Sequence, residues 1–126
     1  MPRVIHFELP AEDIDRAAAF YQSVFGWKVQ KWDGPIPYWF LVTSTEEGQP
    51  GIDGALIKSE GVMPPRTPVN TIDVPLVDDY TARITAAGGQ VAMPKTAIPG
   101  VGYLAYCVDT EGVLFGIMQV DAGAGA

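Results

Sequence analysis

VIHFELPAEDIDRAAAFYQSVFGW, running from Val4 to Trp27, is the stretch that decides the fold. Its first residues alternate: Ile5, Phe7 and Leu9 fall on one face of a strand, His6 and Glu8 on the other. From Ile14 the period changes. Ile14, Ala17, Ala18, Tyr21, Val24 and Phe25 recur at helical spacing and make one apolar stripe. Asp13 is placed to cap the helix, Asp15 suits the positive end of its dipole, and Gly26 supplies a left-handed stop.

Working outward, three extended pieces follow: Trp27 to Trp32, Tyr38 to Thr43 and Ile52 to Lys58, separated by the turn formers Asp33-Gly34-Pro35 and Glu46-Glu47-Gly48. Met63 to Pro68 carries three prolines and reads as a connector. The same order then recurs. A strand is predicted over Val69 to Val74, then a helix striped by Val77, Tyr80, Ile84 and Ala87 and stopped at Gly88-Gly89. Strands are predicted over Gln90 to Met93, Tyr103 to Val108 and Val113 to Gln119. A shift of about 63 residues lays Val77 on Ile14, Asp78 on Asp15 and Gly89 on Gly26, and a shift one shorter lays Gly116 on Gly54. Two copies of one βαβββ unit account for this. They divide the chain into a module over about 3–60 and another over about 68–119, within one domain over 1–120. Residues 121–126, DAGAGA, are expected to form a flexible tail.

Composition narrows the function. The 126 residues suit one domain, and 48% are apolar, enough for a packed core. A net charge of -7, with eight scattered basic residues, argues against nucleic acid and against an anionic membrane surface. No stretch approaches the roughly 20 apolar residues of a membrane span, and the N-terminus lacks a signal-peptide core. The single cysteine, Cys107, cannot form an internal disulfide; a cytoplasmic location is the resulting expectation. Ile98 to Gly102 lacks the Lys-Ser/Thr of a phosphate loop and reads as a hairpin connection.

The paired βαβββ units, the run Ile14-Asp15-Arg16-Ala17-Ala18-Ala19-Phe20-Tyr21 with Phe25-Gly26-Trp27, the segment Ala86-Ala87-Gly88-Gly89-Gln90-Val91 and the turn Asp109-Thr110-Glu111-Gly112 together resemble the vicinal oxygen chelate superfamily of glyoxalases and bleomycin-resistance proteins. The resemblance spans roughly residues 3 to 119. It implies an α+β fold in which curved mixed sheets surround a shared cavity with helices outside. It also implies a small organic ligand and a homodimer. Members include glyoxalases, epimerases, extradiol dioxygenases and metal-free drug-binding proteins, so the fold leaves the function open.

Many members hold a divalent metal with His or Gln on the first strand of each module and Glu on the last. Carried over, those positions are His6, Val69 (or its neighbour Asn70), Gly54 and Gly116. Only His6 is a ligand, so no metal centre and no cofactor are predicted; Asp53, beside Gly54, is expected to point away from the cavity. Glu8, Thr71 and Asp73 share faces with these positions and are the candidate substitute ligands. The expected pocket is His6, Glu8, Trp39, Thr71, Asp73 and Tyr103, with His6 and Glu8 as candidate acid–base groups. Tyr103 is preferred to Tyr106, on the opposite face, because it follows the Gly100-Val101-Gly102 loop. Each residue also has a structural reading: His6 a hydrogen-bonded strand residue, Glu8 a rim carboxylate, and the aromatics of Tyr38-Trp39-Phe40 core or dimer interface. The leading function is metal-free binding of a small molecule. The alternatives are a metal-dependent glyoxalase-like lyase or isomerase with an atypical ligand set, and a non-catalytic dimeric interaction domain.

Overall fold

A computed structural model describes all residues, 1–126. The elements run β1 (Val4–Ala11), α1 (Ile14–Phe25), β2 (Lys28–Lys31), β3 (Trp39–Val42), β4 (Gly54–Lys58), β5 (Val69–Asp73), α2 (Val77–Ala86), β6 (Gln90–Ile98), β7 (Gly102–Val108) and β8 (Leu114–Val120). This is the predicted βαβββ order, twice. The chain divides into two compact units, one of His6–Val69 and the other of Met1–Ile5 with Asn70–Ala126.

In the first unit the strands lie in the order β2-β3-β4-β1, with β1 and β4 parallel and the other pairs antiparallel. Helix α1 begins as its sequence requires: the Asp13 carboxylate accepts from the Arg16 amide at 3.0 Å, and Gly26 ends it at φ 72°, its amide donating to the Gln22 carbonyl. Ile14, Leu41 and Leu56 are buried beneath the helix, joined by Phe7, Leu9, Tyr21, Trp27, Val29 and Trp39. One face of the sheet is therefore the helix side. The opposite face carries His6, Glu8, Ala55 and Phe40, since Glu8 lies opposite Ala55 and Ala55 opposite Phe40 in the ladders.

The second unit repeats the order as β5-β8-β7-β6, again with one parallel pair, β5 and β8. Its core is Val74, Val77, Ala105, Cys107 and Ile117, with Ile72, Tyr80, Ile84, Tyr103 and Phe115 packed on it. Helix α2 has Leu76 at its N-cap, which offers no side-chain acceptor. Gln119 of β8 supplies one instead, its Oε1 accepting from the Val77 amide at 3.0 Å. The N-terminus is tied to the same unit: the Arg3 amide donates to Asp73 Oδ1 and the Asp73 amide to the Arg3 carbonyl.

Two expectations change. Strand β6 continues to Ile98, five residues beyond its predicted end, accommodating Pro94 through register shifts on an edge strand. Residues 121–126 form a hydrogen-bonded turn where flexibility was expected. The Asp121 amide donates to the Val101 carbonyl and the Gly100 amide to the Ala124 carbonyl, and Ala124 is buried. Partners on the β6–β7 hairpin satisfy backbone that small residues alone would leave to solvent. No helix is long and apolar enough to cross a membrane.

Candidate functional site

Strand β1 puts His6 and Glu8 on the face away from α1, as their alternation predicted. His6 is half-buried, and its Nε2 lies 2.7 Å from the Tyr38 hydroxyl, with the two rings nearly parallel at 17°. The Asp53 backbone carbonyl acts on the same imidazole in favour of its protonated form. Burial lowers the His6 pKa from its ordinary value, against the smaller opposing pull of the Glu8 and Asp53 carboxylates and that carbonyl. The neutral ring is thus the favoured form at neutral pH. Glu8 is 2% exposed and, like every buried polar side chain, hydrogen-bonded, so it is not a rim residue.

Aromatic rings extend the site. Tyr38, just before β3, meets Trp32 and Phe40 edge-on, with interplanar angles of 78° in both cases. The Trp32 amide donates to the Tyr38 carbonyl at 2.8 Å, which closes the β2–β3 hairpin. The Trp32 ring lies over Gly34 so closely that a Cβ there would sit 2.2 Å from it. Glycine at 34 is what lets the indole fold down beside Tyr38.

The Asp53 side chain has a separate task. Its Oδ1 accepts from the Thr43 amide at 2.9 Å, holding the β3–β4 loop. That loop surrounds a polar depression of about 170 Å³ lined by Thr43, Ser44, Gln49, Pro50, Gly51 and Asp53. It falls below the roughly 300 Å³ at which small-molecule sites begin.

Two predicted pocket residues lie on the other side of their sheets. Trp39 packs into the α1 core, and it is Tyr38 and Phe40 that share the face of His6. Tyr103 packs on the α2 core, with Lys95 Nζ 4.7 Å from its ring centroid and the same ammonium 3.2 Å from Asp78. Tyr106 instead shares the face of Thr71 and Gly116 and is 4% exposed. Thr71 is buried on that same face, while Asp73 spends its carboxylate on the Arg3 amide. Cys107 is wholly buried, and burial raises its pKa, the opposite of an activated thiol.

The glycine pair is also corrected. Gly54 lies opposite Phe7 on the helix side, and a Cβ there would meet the Phe7 ring at 2.5 Å. Gly116 lies opposite Thr71, on the face that also carries Tyr106. The position matching Gly116 is Ala55, opposite Glu8. Asp53, next to Gly54, is accordingly on the His6 side, where its charge and its backbone act on the imidazole. At the four family positions the residues are then His6, Val69, Ala55 and Gly116, of which one carries a donor. No group of three or more His, Cys, Asp or Glu side chains is disposed to hold a metal ion. A divalent ion needs several converging donors, and these residues do not fit one.

Sequence reading missed the Tyr38 hydroxyl and Trp32. Tyr38 stood in the sequence only as part of an aromatic run, and its pairing with His6 across 32 residues leaves no local signal.

Comparison with known proteins agrees with this architecture. A model of the bleomycin resistance protein-like N-terminal region matches residues 3–36, which include β1, α1 and Trp32. A glyoxylase-like domain-containing protein of Didymella fabae is 34% identical over 110 residues, covering 83% of this chain and 84% of that protein. Among solved structures, a protein of Bacillus halodurans C-125 gives a TM-score of 0.71 at 15% identity, covering 99% of both chains. Methylmalonyl-CoA epimerase from Mycobacterium tuberculosis gives 0.67 at 14% identity, over 94% of this chain and 87% of that one. The structural likenesses show the fold, and with the relative from Didymella fabae they establish that this chain belongs to the glyoxalase–bleomycin-resistance family of the vicinal oxygen chelate superfamily.

Proposed function

We propose that this protein binds a small organic molecule on the His6 face of its first unit and does so without the divalent metal of its metal-using relatives. The observation that carries the reading is the ligand set: of four positions, only His6 retains a donor, while Val69, Ala55 and Gly116 have none. The Tyr38 hydroxyl on Nε2 suits the imidazole to an organic hydrogen-bonding network. Two activities suit such a site: sequestration of a compound, and proton transfer using the imidazole.

Elemental analysis of untagged protein beside His6→Ala tests the metal-free part. The expected result is no stoichiometric transition metal in either protein. A near-stoichiometric ion that disappears in the variant would return the chain to glyoxalase-type metal chemistry. A thermal-shift screen of aromatic metabolites and drugs tests binding itself, with a rise in melting temperature expected from a ligand that prefers the native state. A screen in which nothing shifts the transition would support the interaction-domain reading.

A further inference from the structure

We infer that the outward side of α1 is a pairing surface for a second copy of this chain, with the two helices antiparallel about a two-fold axis near Phe20. Pairing there is independent of ligand binding, because α1 covers the sheet face opposite His6.

The helix carries more apolar surface than its own sheet covers. Helical spacing assigns Val24 and Phe25 to the buried stripe, yet they are 55% and 53% exposed, and Phe20, outside that stripe, is 55% exposed. The rings are also held in place. Tyr21 stacks on Trp27 with centroids 5.2 Å apart, Phe25 stacks on Trp27 at 5.3 Å, and Phe20 meets Tyr21 edge-on at 5.2 Å. Rings fixed by their neighbours lose little freedom when a partner covers them. Half-exposed, each phenylalanine offers about 100 Å². With Val24 the patch reaches roughly 300 Å² per copy, or about 600 Å² in a symmetric pair, against about 900 Å² of apolar area in an interface of standard size. That suits a weak dimer in which a charged rim supplies the remainder.

Charge selects the occupant and its orientation. The helix begins among Glu12, Asp13 and Asp15 and is followed by Lys28 and Lys31, with no carboxylate between Asp15 and Lys31. Two antiparallel copies therefore set an acidic start against a basic end, with their helix dipoles opposed. Glu12 and Lys28 are both exposed and stand eight positions either side of Phe20, so each meets its opposite charge on the second copy across the axis. Arg16 shares a stripe with Phe20 and Val24, and antiparallel pairing brings its guanidinium to the Val24–Phe25 end of the second copy, where a ring face can receive it. Neither Glu12, Arg16 nor Lys28 forms an ion pair within its own chain. Each copy carries a net charge of -7, a repulsion that this match of unlike charges offsets and a parallel pair would worsen.

Sedimentation velocity of the full chain from about 1 to 500 µM tests this, with a reversible passage from monomer to dimer expected. Phe20→Glu, checked for an unchanged circular dichroism spectrum, should weaken the dimer at least about 30-fold, the effect of losing a central anchor. Val24→Lys should weaken it as well, and guards against a local fault in the first variant. Glu12→Lys and Lys28→Glu should each weaken pairing about three- to ten-fold, while their equimolar mixture, or the double variant, should restore it. A residue with a merely structural role gives no such rescue. A chain that stays monomeric at every concentration would overturn the inference. So would a dimer that Phe20→Glu and Val24→Lys leave intact, or charge reversals that fail to rescue one another.

Discussion

Alanine placed at Gly54 and at Gly116 should separate two positions that the internal repeat makes look alike. Gly54 faces the α1 core, and a Cβ added there falls 2.5 Å from the Phe7 ring. That ring cannot swing away freely, because it is half-buried and lies against Trp27, with centroids 6.4 Å apart. Overpacking of this kind costs about 1–3 kcal/mol, from which the reduced freedom of the unfolded chain returns about 0.4–1 kcal/mol. At Gly116 the nearest atoms, Thr71 Oγ1 and the Tyr106 ring, lie 3.4 Å from the added Cβ, close to ordinary contact. Gly54→Ala should therefore lose about 1–2 kcal/mol, a fall in melting temperature of about 3–10 °C for a domain of this size. Gly116→Ala should stay within about 0.5 kcal/mol of wild type. Thermal unfolding followed by circular dichroism reads both. Adding Phe7→Leu to Gly54→Ala supplies the internal control, since the double variant should lose less than the sum of the single losses. Equal destabilisation by the two alanines, or additivity in the double variant, would refute the assignment of Gly54 to the helix side.

Other consequences can be checked directly. Gln119→Ala removes the acceptor for the Val77 amide and should cost about 1 kcal/mol, the typical value of a helix N-terminal cap, with faster hydrogen exchange at the start of α2. His6 is the only histidine, so its ring resonances titrate without overlap; its apparent pKa should lie below 6.5. Because the folded pKa is the lower one, the unfolded chain binds the extra proton first. Stability should be constant above about pH 6.5, fall as the pH drops below that value, and level off below the folded pKa; His6→Gln should flatten this slope. A titration midpoint above 6.5 would contradict the burial of the ring. Treatment with a chelator should leave the melting temperature unchanged, and a fall of many degrees reversed by one divalent ion would contradict the metal-free reading.

Much of the architecture was legible because its signals are local. Asp13 and Gly26 sit within one turn of the helix they bound, and the His6–Glu8 alternation needs only neighbouring residues. The second helix was legible from its stripe, but its cap was not, since the acceptor is Gln119, 42 residues from Val77. Strand β3 shows the limit most clearly. Alternation guarantees that Trp39 opposes Tyr38 and Phe40, yet both sets are aromatic, and hydropathy cannot say which faces the helix.

What the sequence determined by itself, then, is the doubled βαβββ order, the helix ends and the scarcity of metal ligands, all carried by residue type and short-range period. Tertiary structure alone decided which glycine stands beside Phe7, which aromatic face is turned away from the helix, and that His6 meets Tyr38. The physical reason lies in strand pairing. A one-residue change of register exchanges the two faces of a strand, and register is set by partners distant in the chain.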